Sequence, residues 1–216
     1  TCGAGSLLSV FPESVEKFGQ DIDQAALDDA AMLPNFHGHY GDVLTDPAWL
    51  GKRFPAIVAN PPFSIKWEPT VDERFMLAPT APTAGRADYA FLLHILHMLT
   101  DDGVAAVLSF PGVLYRGQRE GVLRAWMVES NYIDQVIHIP GDTFTDTSIA
   151  TAVIVLKKNR APNAPIRFED REHGIERMVP LDEVRGNGHN LSVSQYVQPP
   201  VPEKPPFDAW ETEQAA

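Results

Sequence analysis

Cysteine is almost absent from this 216-residue chain: Cys2 stands alone, so no disulfide can form within it, a usage that agrees with a reducing compartment. Basic side chains are also few, with 17 Lys and Arg against 29 Asp and Glu for a formal charge of −12. Contacts from Lys and Arg to phosphates supply most non-specific DNA affinity, so a chain this acidic grips DNA only if another domain or subunit brings the basic surface. An acidic surface that merely keeps the protein in solution is the plainer account. No apolar run approaches the ~20 residues of a membrane span, and no basic-then-apolar leader opens the chain. The expected setting is therefore the cytoplasm, without a membrane partner. An initiator methionine is missing too, and Thr1-Cys2-Gly3-Ala4-Gly5-Ser6 reads as the turn after a strand that the chain does not contain, which suggests a fragment. Internal repeats and long charge runs are not found.

What is present suffices for one substantial core with a small appendage, since 44% of residues are hydrophobic and 21% charged. The most informative stretch is Asn60-Pro61-Pro62-Phe63, which follows the apolar run Phe54-Pro55-Ala56-Ile57-Val58-Ala59. That run predicts a buried strand, and the two prolines stop it. A strand ending this way delivers a side-chain amide, a carbonyl held by Pro61 and a flat ring to one point, a set suited to gripping a planar amine. Asn-Pro-Pro is also a reasonable turn after any strand, because proline has no N–H for a ladder.

Taken in order, Gly3 and Gly5, followed by Leu7, Leu8 and Val10, predict a glycine-rich turn opening a helix. A plain flexible start reads the same residues equally well. Residues 15–22 alternate into a short strand ending at Asp21, about twenty residues after the glycines, where doubly wound folds place an acid that accepts from ribose hydroxyls. Asp23 caps a helix over 24–33. Residues 36–42 predict a third strand ending in Asp42, an acid able to accept from an exocyclic amine, although a Gly-Asp turn is simpler. A short helix is expected over 48–52.

Residues 64–86 are rich in Pro, Thr and Ala and lack periodicity, which suggests a mobile segment over the site. The strongest helix is expected over 87–99, stopped by Asp102-Gly103. Its His94 and His97 share a face, but no third ligand stands at a usual metal spacing. Strands are expected over 104–110, 133–139 and 152–157, with a helix over 118–130. The link over 141–148 is too short for a parallel return, so the last two of these strands pair antiparallel and close the sheet. Beyond residue 159, a small hairpin over 166–168 and 176–179, a helical turn over 181–184 and a Pro-rich arm over 199–206 are expected. The chain thus divides into a 1–159 domain and a 160–216 extension.

This order of features resembles the S-adenosylmethionine-dependent N6-adenine DNA methyltransferases. More narrowly, Thr1-Cys2-Gly3-Ala4-Gly5-Ser6-Leu7-Leu8, Val58-Ala59-Asn60-Pro61-Pro62-Phe63-Ser64, Ala87-Asp88-Tyr89-Ala90-Phe91, Leu156-Lys157-Lys158 and Asn190-Leu191-Ser192-Val193-Ser194-Gln195-Tyr196-Val197 resemble the modification subunit of type I restriction-modification systems. The resemblance implies a Rossmann-like α/β fold whose first strand is missing here. It implies methyl transfer to adenine N6 in DNA, with S-adenosyl-L-methionine as cofactor and no metal. Asn60, Pro61, Pro62 and Phe63 would hold a flipped adenine. Thr1, Gly3, Gly5, Asp21, Ile22 and Asp42 would bind the cofactor. Implied partners are DNA, reached through a specificity subunit, and a restriction subunit. The alternatives are a methyltransferase acting on a protein glutamine, which uses a similar tetrapeptide, and a non-catalytic assembly module that docks a specificity subunit.

Overall fold

The computed structural model describes residues 1–143 and 149–199. Its elements follow in the order β1 (Lys17–Asp21), α1 (Gln24–Ala30), β2 (Phe36–Tyr40), β3 (Phe54–Ala59), α2 (Glu73–Met76), α3 (Asp88–Met98), β4 (Leu99–Ser109), α4 (Gln118–Glu129), β5 (Ile133–Ile139), β6 (Thr151–Lys157), β7 (Ile166–Asp170), β8 (Ile175–Val179) and α5 (Leu181–Gly186). Most of the Pro-rich arm expected over 199–206 lies outside the described residues, as does much of the link over 141–148.

Two sheets result. β1 and β2 pair in parallel, with Lys17 opposite Phe36 and Asp21 opposite Tyr40. The larger sheet runs β3-β4-β6-β5-β7-β8. β3 and β4 are parallel, β6 is antiparallel to both of its neighbours β4 and β5, β7 is parallel to β5, and β8 is antiparallel to β7. The antiparallel β5–β6 pair does not form the sheet's end, because β7 and β8 continue it. The hairpin expected after residue 159 is therefore built onto the same sheet.

The core lies on this larger sheet, under α3, α4 and α5. In α3 every residue except His94 and His97 is buried, as expected of a helix that is apolar on all sides. Fully buried Leu93, Leu123, Met127, Ile154, Leu156 and Phe168 join strands to helices in one cluster. Asp23 caps α1 as its sequence predicts, its carboxylate accepting from Ala25 and Ala26.

Several elements depart from expectation. Residues 6–11 form no α-helix but a chain of turns, in which Leu8 and Ser9 N–H both donate to the Gly5 carbonyl. Residues 48–52 likewise make turns only. Asp102-Gly103 does not stop α3; Leu99 turns straight into β4, with φ −71° and ψ 142°. Phe54 then faces Leu99 while Ala56 faces Val104, so residues 100–103 bulge out of register. A Cβ on Gly103 would lie 3.0 Å from the Phe54 carbonyl oxygen, so a side chain there would crowd this approach of β4 to β3. No described helix is long and apolar enough to cross a membrane.

Candidate active site

The carboxyl ends of β1 and β2 gather the residues expected to hold a cofactor. The Gly3 N–H donates to Asp21 Oδ2 at 2.8 Å, and the Asp23 N–H to Asp21 Oδ1 at 3.1 Å. The Cys2 N–H donates to the Gln20 carbonyl, which docks the glycine turn on β1. Gly5 has φ +79°, and a Cβ there would meet Leu33 Cδ1 at 2.6 Å, so the turn packs tightly against the end of α1. Gly3 has φ +53° and nothing within 4 Å of a notional Cβ, which leaves its outer side open. The Gly41 N–H donates to the Asp21 carbonyl, bringing Asp42 beside β1. Asp42 is exposed and spends one oxygen on the Leu44 N–H at 2.9 Å. Ile22 is exposed. Thr1, Gly3, Gly5, Asp21, Ile22 and Asp42 thus share one end of the small sheet.

β3 delivers the tetrapeptide. Pro61 is buried, Phe63 is half-buried, and Asn60 is exposed, with no partner for its side-chain amide among the described residues. The Phe63 ring tilts against Phe110, which follows β4, at 6.3 Å between centroids. Ser64 has φ +51°, a conformation that costs a non-glycine residue and needs outside support. Asp88 Oδ1, at the start of α3, supplies it by accepting from the Ser64 N–H at 3.1 Å. Arg116 reaches the Ser64 Oγ with two nitrogens, at 3.2 and 3.3 Å.

Between β1 and β3 lies a cavity of about 490 Å³. Thr1, Cys2, Phe18, Gly19 and Gln20 line one side, and β3 from Phe54 to Ala59 lines the other. Among the described residues β1 pairs only with β2, and β3 only with β4, so the facing edges of the two strands have no partner there. Consequently the β3 run is less buried than its apolar sequence predicts, with Pro55 and Ala56 exposed and only Ala59 fully covered.

Residues 64–86 are not a featureless loop. Asp72 caps the single turn of α2, and Arg74, 2% exposed, donates to the carbonyls of Val43 and Leu44 and to both Asp72 and His94. Because arginine only donates, His94 Nδ1 accepts and its proton sits on Nε2. Burial and the Arg74 charge hold the His94 pKa down at about 3. His97 instead meets Arg53 at 3.2 Å and Glu73 at 3.4 Å, so the two histidines do not converge on a common metal position. A different group, His138, Asp170 and Glu172, has ligand atoms within 4.8 Å of one another. It lies across β4 and β6 from β3, and Asp170 already accepts from the Glu172 N–H and from His173. Arg74 and Arg116 went unmarked in the sequence, and Asp88 stood there only inside the Ala87–Phe91 motif with no role given to it; the signal available was an arginine in a Pro-rich stretch and charges flanking apolar elements.

A mixed α/β sheet, acids at the carboxyl ends of two parallel strands and an amide-proline-proline-aromatic turn after a third define the class of the α/β methyltransferases. The chain belongs to the N-6 DNA Methylase family, whose model matches residues 12–178. It is 31% identical, over 91% of its length, to the type I restriction enzyme MpnII methylase subunit of Mycoplasma pneumoniae, of which it covers 47%. It is 26% identical, over 73% of its length, to the HindI methylase subunit of Haemophilus influenzae, of which it covers 38%. The crystal structure of a type I restriction-modification methyltransferase subunit from Streptococcus thermophilus matches 92% of the chain and is covered to 53%, with 30% identity and a TM-score of 0.83. The chain therefore spans about half the length of these proteins, or less.

Proposed function

We propose that the protein of which this chain forms part transfers a methyl group from S-adenosyl-L-methionine to N6 of adenine in DNA, as the methylase subunit of a type I restriction-modification complex. The observation that carries this reading is Asn60: an exposed amide without a partner, placed by β3 beside a buried Pro61 and a half-exposed Phe63 ring. An extruded adenine stacks on Phe63, and its N6 hydrogens go to the Asn60 Oδ1 and the Pro61 carbonyl. Holding both hydrogens in place aims the nitrogen lone pair, and positioning of this kind supplies much of the rate in a direct displacement. Bound S-adenosyl-L-methionine supplies the electrophilic methyl group.

The residues present fit that cofactor. The open face of Gly3 admits close approach to the backbone, Asp21 retains lone pairs for the ribose hydroxyls, and Asp42 has a free oxygen for an exocyclic amine, with exposed Ile22 against the ring. Thr1 and Gly5 complete the turn. We further propose that a strand outside this chain fills the cavity between β1 and β3, joining the two sheets into one. Two unpaired strand edges and a largely apolar lining support this. The 1–159 part then carries the transfer and 160–216 is an extension. A charge of −12 leaves DNA contact to a specificity subunit, with a restriction subunit as the further partner.

The test is Asn60→Ala in the full-length chain, assembled with its specificity subunit. Methyl transfer to DNA falls by about a hundredfold or more, the scale of losing one such polar contact in an active site, while calorimetric titration shows cofactor affinity within a few-fold of wild type. Undiminished transfer would sink the assignment, and label appearing in a protein rather than DNA would redirect it to glutamine.

A further inference from the structure

Behind the tetrapeptide lies a charged cluster that the proposed chemistry does not use. Asp88 and Glu120 are buried, with side chains 6% and 3% exposed, and Arg116 lies 3.8 and 3.7 Å from them. Asp88 Oδ2 and both Glu120 oxygens have no hydrogen-bond partner among the described residues. Burial accordingly pushes the Glu120 pKa up, against the pull of Arg116 and Arg86. Two buried carboxylates flanking one guanidinium, yet not hydrogen-bonded to it, hold it by charge and leave its N–H groups for another partner. That partner is the Ser64 Oγ.

Two further features seat the guanidinium, and a third holds the Arg116 backbone. The guanidinium lies over the Phe110 ring, 5.1 Å from its centroid. Arg124 donates to the Arg116 carbonyl at 2.6 Å. A Cβ on Gly112 would lie 2.5 Å from Arg116 Nε, so the absence of a side chain there makes the room that Arg116 fills. Arg116 therefore touches both residues that border the Phe63 ring: Ser64 in the chain, and Phe110 across the space.

We propose that Asp88 and Arg116 are positioning residues for methyl transfer. Asp88 locks the strained Ser64 backbone, and Arg116 locks Ser64 and Phe110 together, so that the Phe63 ring has one orientation when a base stacks on it. This rests on the function proposed above. A loose Phe63 still permits cofactor binding but lowers the fraction of bound adenine that is aligned, so the effect falls on kcat rather than on cofactor affinity.

The experiment uses the full-length chain assembled with its specificity subunit, at a temperature where each variant is folded. Arg116→Lys keeps the charge between the two carboxylates but loses the two-pronged grip on Ser64 and the flat contact with Phe110. Its expected kcat is about tenfold below wild type, with KM for S-adenosyl-L-methionine within twofold. Asp88→Ala shows the same split, and Asp88→Asn, whose amide oxygen still accepts from the Ser64 N–H, recovers most of the rate. If Asp88→Ala does not fold, Asp88→Glu, whose longer side chain misplaces the acceptor, takes its place, while Ser64→Ala, which removes only the hydroxyl, tests the Arg116 contact alone. Wild-type kcat in Arg116→Lys and in Asp88→Ala or Asp88→Glu, alongside an inactive Asn60→Ala, would overturn the proposal. A wild-type assembly that methylates no DNA would overturn the function beneath it instead.

Discussion

Arg74 binds four groups from a nearly dry position: the carbonyls of Val43 and Leu44, the Asp72 carboxylate and the His94 ring. Its loss strands the buried Leu44 carbonyl and the partly buried Val43 carbonyl beside Asp42, whose own turn includes the Leu44 N–H. Arg74→Met is expected to cost about 3 kcal/mol in urea unfolding and, on the cofactor role proposed for Asp42, to weaken binding of S-adenosyl-L-methionine. His94 adds a pH dependence whose sign follows from its pKa of about 3, against about 6.5 in an unfolded chain. Between those values the unfolded state takes up a proton that the folded state does not. Stability therefore falls as pH drops from about 6.5 toward 3, with a slope of up to about 1.4 kcal/mol per pH unit. His94→Gln removes that component, and urea midpoints measured at pH 7 and pH 4.5 reveal the difference.

Helices and strands with a single local cause were legible in the sequence. Asp23 announces α1, and the helix expected over 118–130 is α4 at Gln118–Glu129, because caps and apolar spacing act over a few residues. Asp23→Ala should cost about 1 kcal/mol by thermal or urea unfolding, as cap substitutions do. What escaped was set by neighbours distant in the chain. Asp102-Gly103 has the chemistry of a helix stop, yet here it serves a bulge, because β3 lies close enough to demand a glycine. The expected helix after Gly5 is replaced by turns docked on β1 and α1. Gly5→Ala, with its left-handed φ and the Leu33 contact, should lower stability by about 1 to 3 kcal/mol and loosen the turn. At the site, Asn60 to Phe63 stood out because an amide, two prolines and an aromatic together suit a planar amine, although Asn-Pro-Pro alone is a reasonable turn after any strand. Arg116 did not, and Asp88 entered only inside the Ala87–Phe91 motif without a role, since a charge beside an apolar helix looks like any solvated flank until the fold buries it.

Across the whole molecule, the division into a two-stranded and a six-stranded sheet dominates. β1 and β3 expose unpaired edges to the same cavity, and such edges are prone to pairing with other chains. A longer version of the protein that supplies the intervening strand should slow amide exchange in both β1 and β3, and should raise the concentration at which aggregation begins. Equal exchange in the two versions would count against a strand in the cavity. The join between β5 and β7 was readable only in part: the sequence showed the hairpin over 166–179, but not that β7 would settle in parallel beside β5.

The segment over 64–86 leaves the body at Ser64 and returns at Asp88, and its two ends are stitched together where the Ala87 N–H donates to the Ile65 carbonyl and the Trp67 N–H to the Ala84 carbonyl. A stretch closed at its neck in this way behaves as a cassette. The exposed stretch over 68–71, around Val71, can lengthen or carry a graft, whereas Arg74 and Phe75 anchor the rest of the segment to the body. A reporter dye or affinity handle can be placed in that exposed stretch.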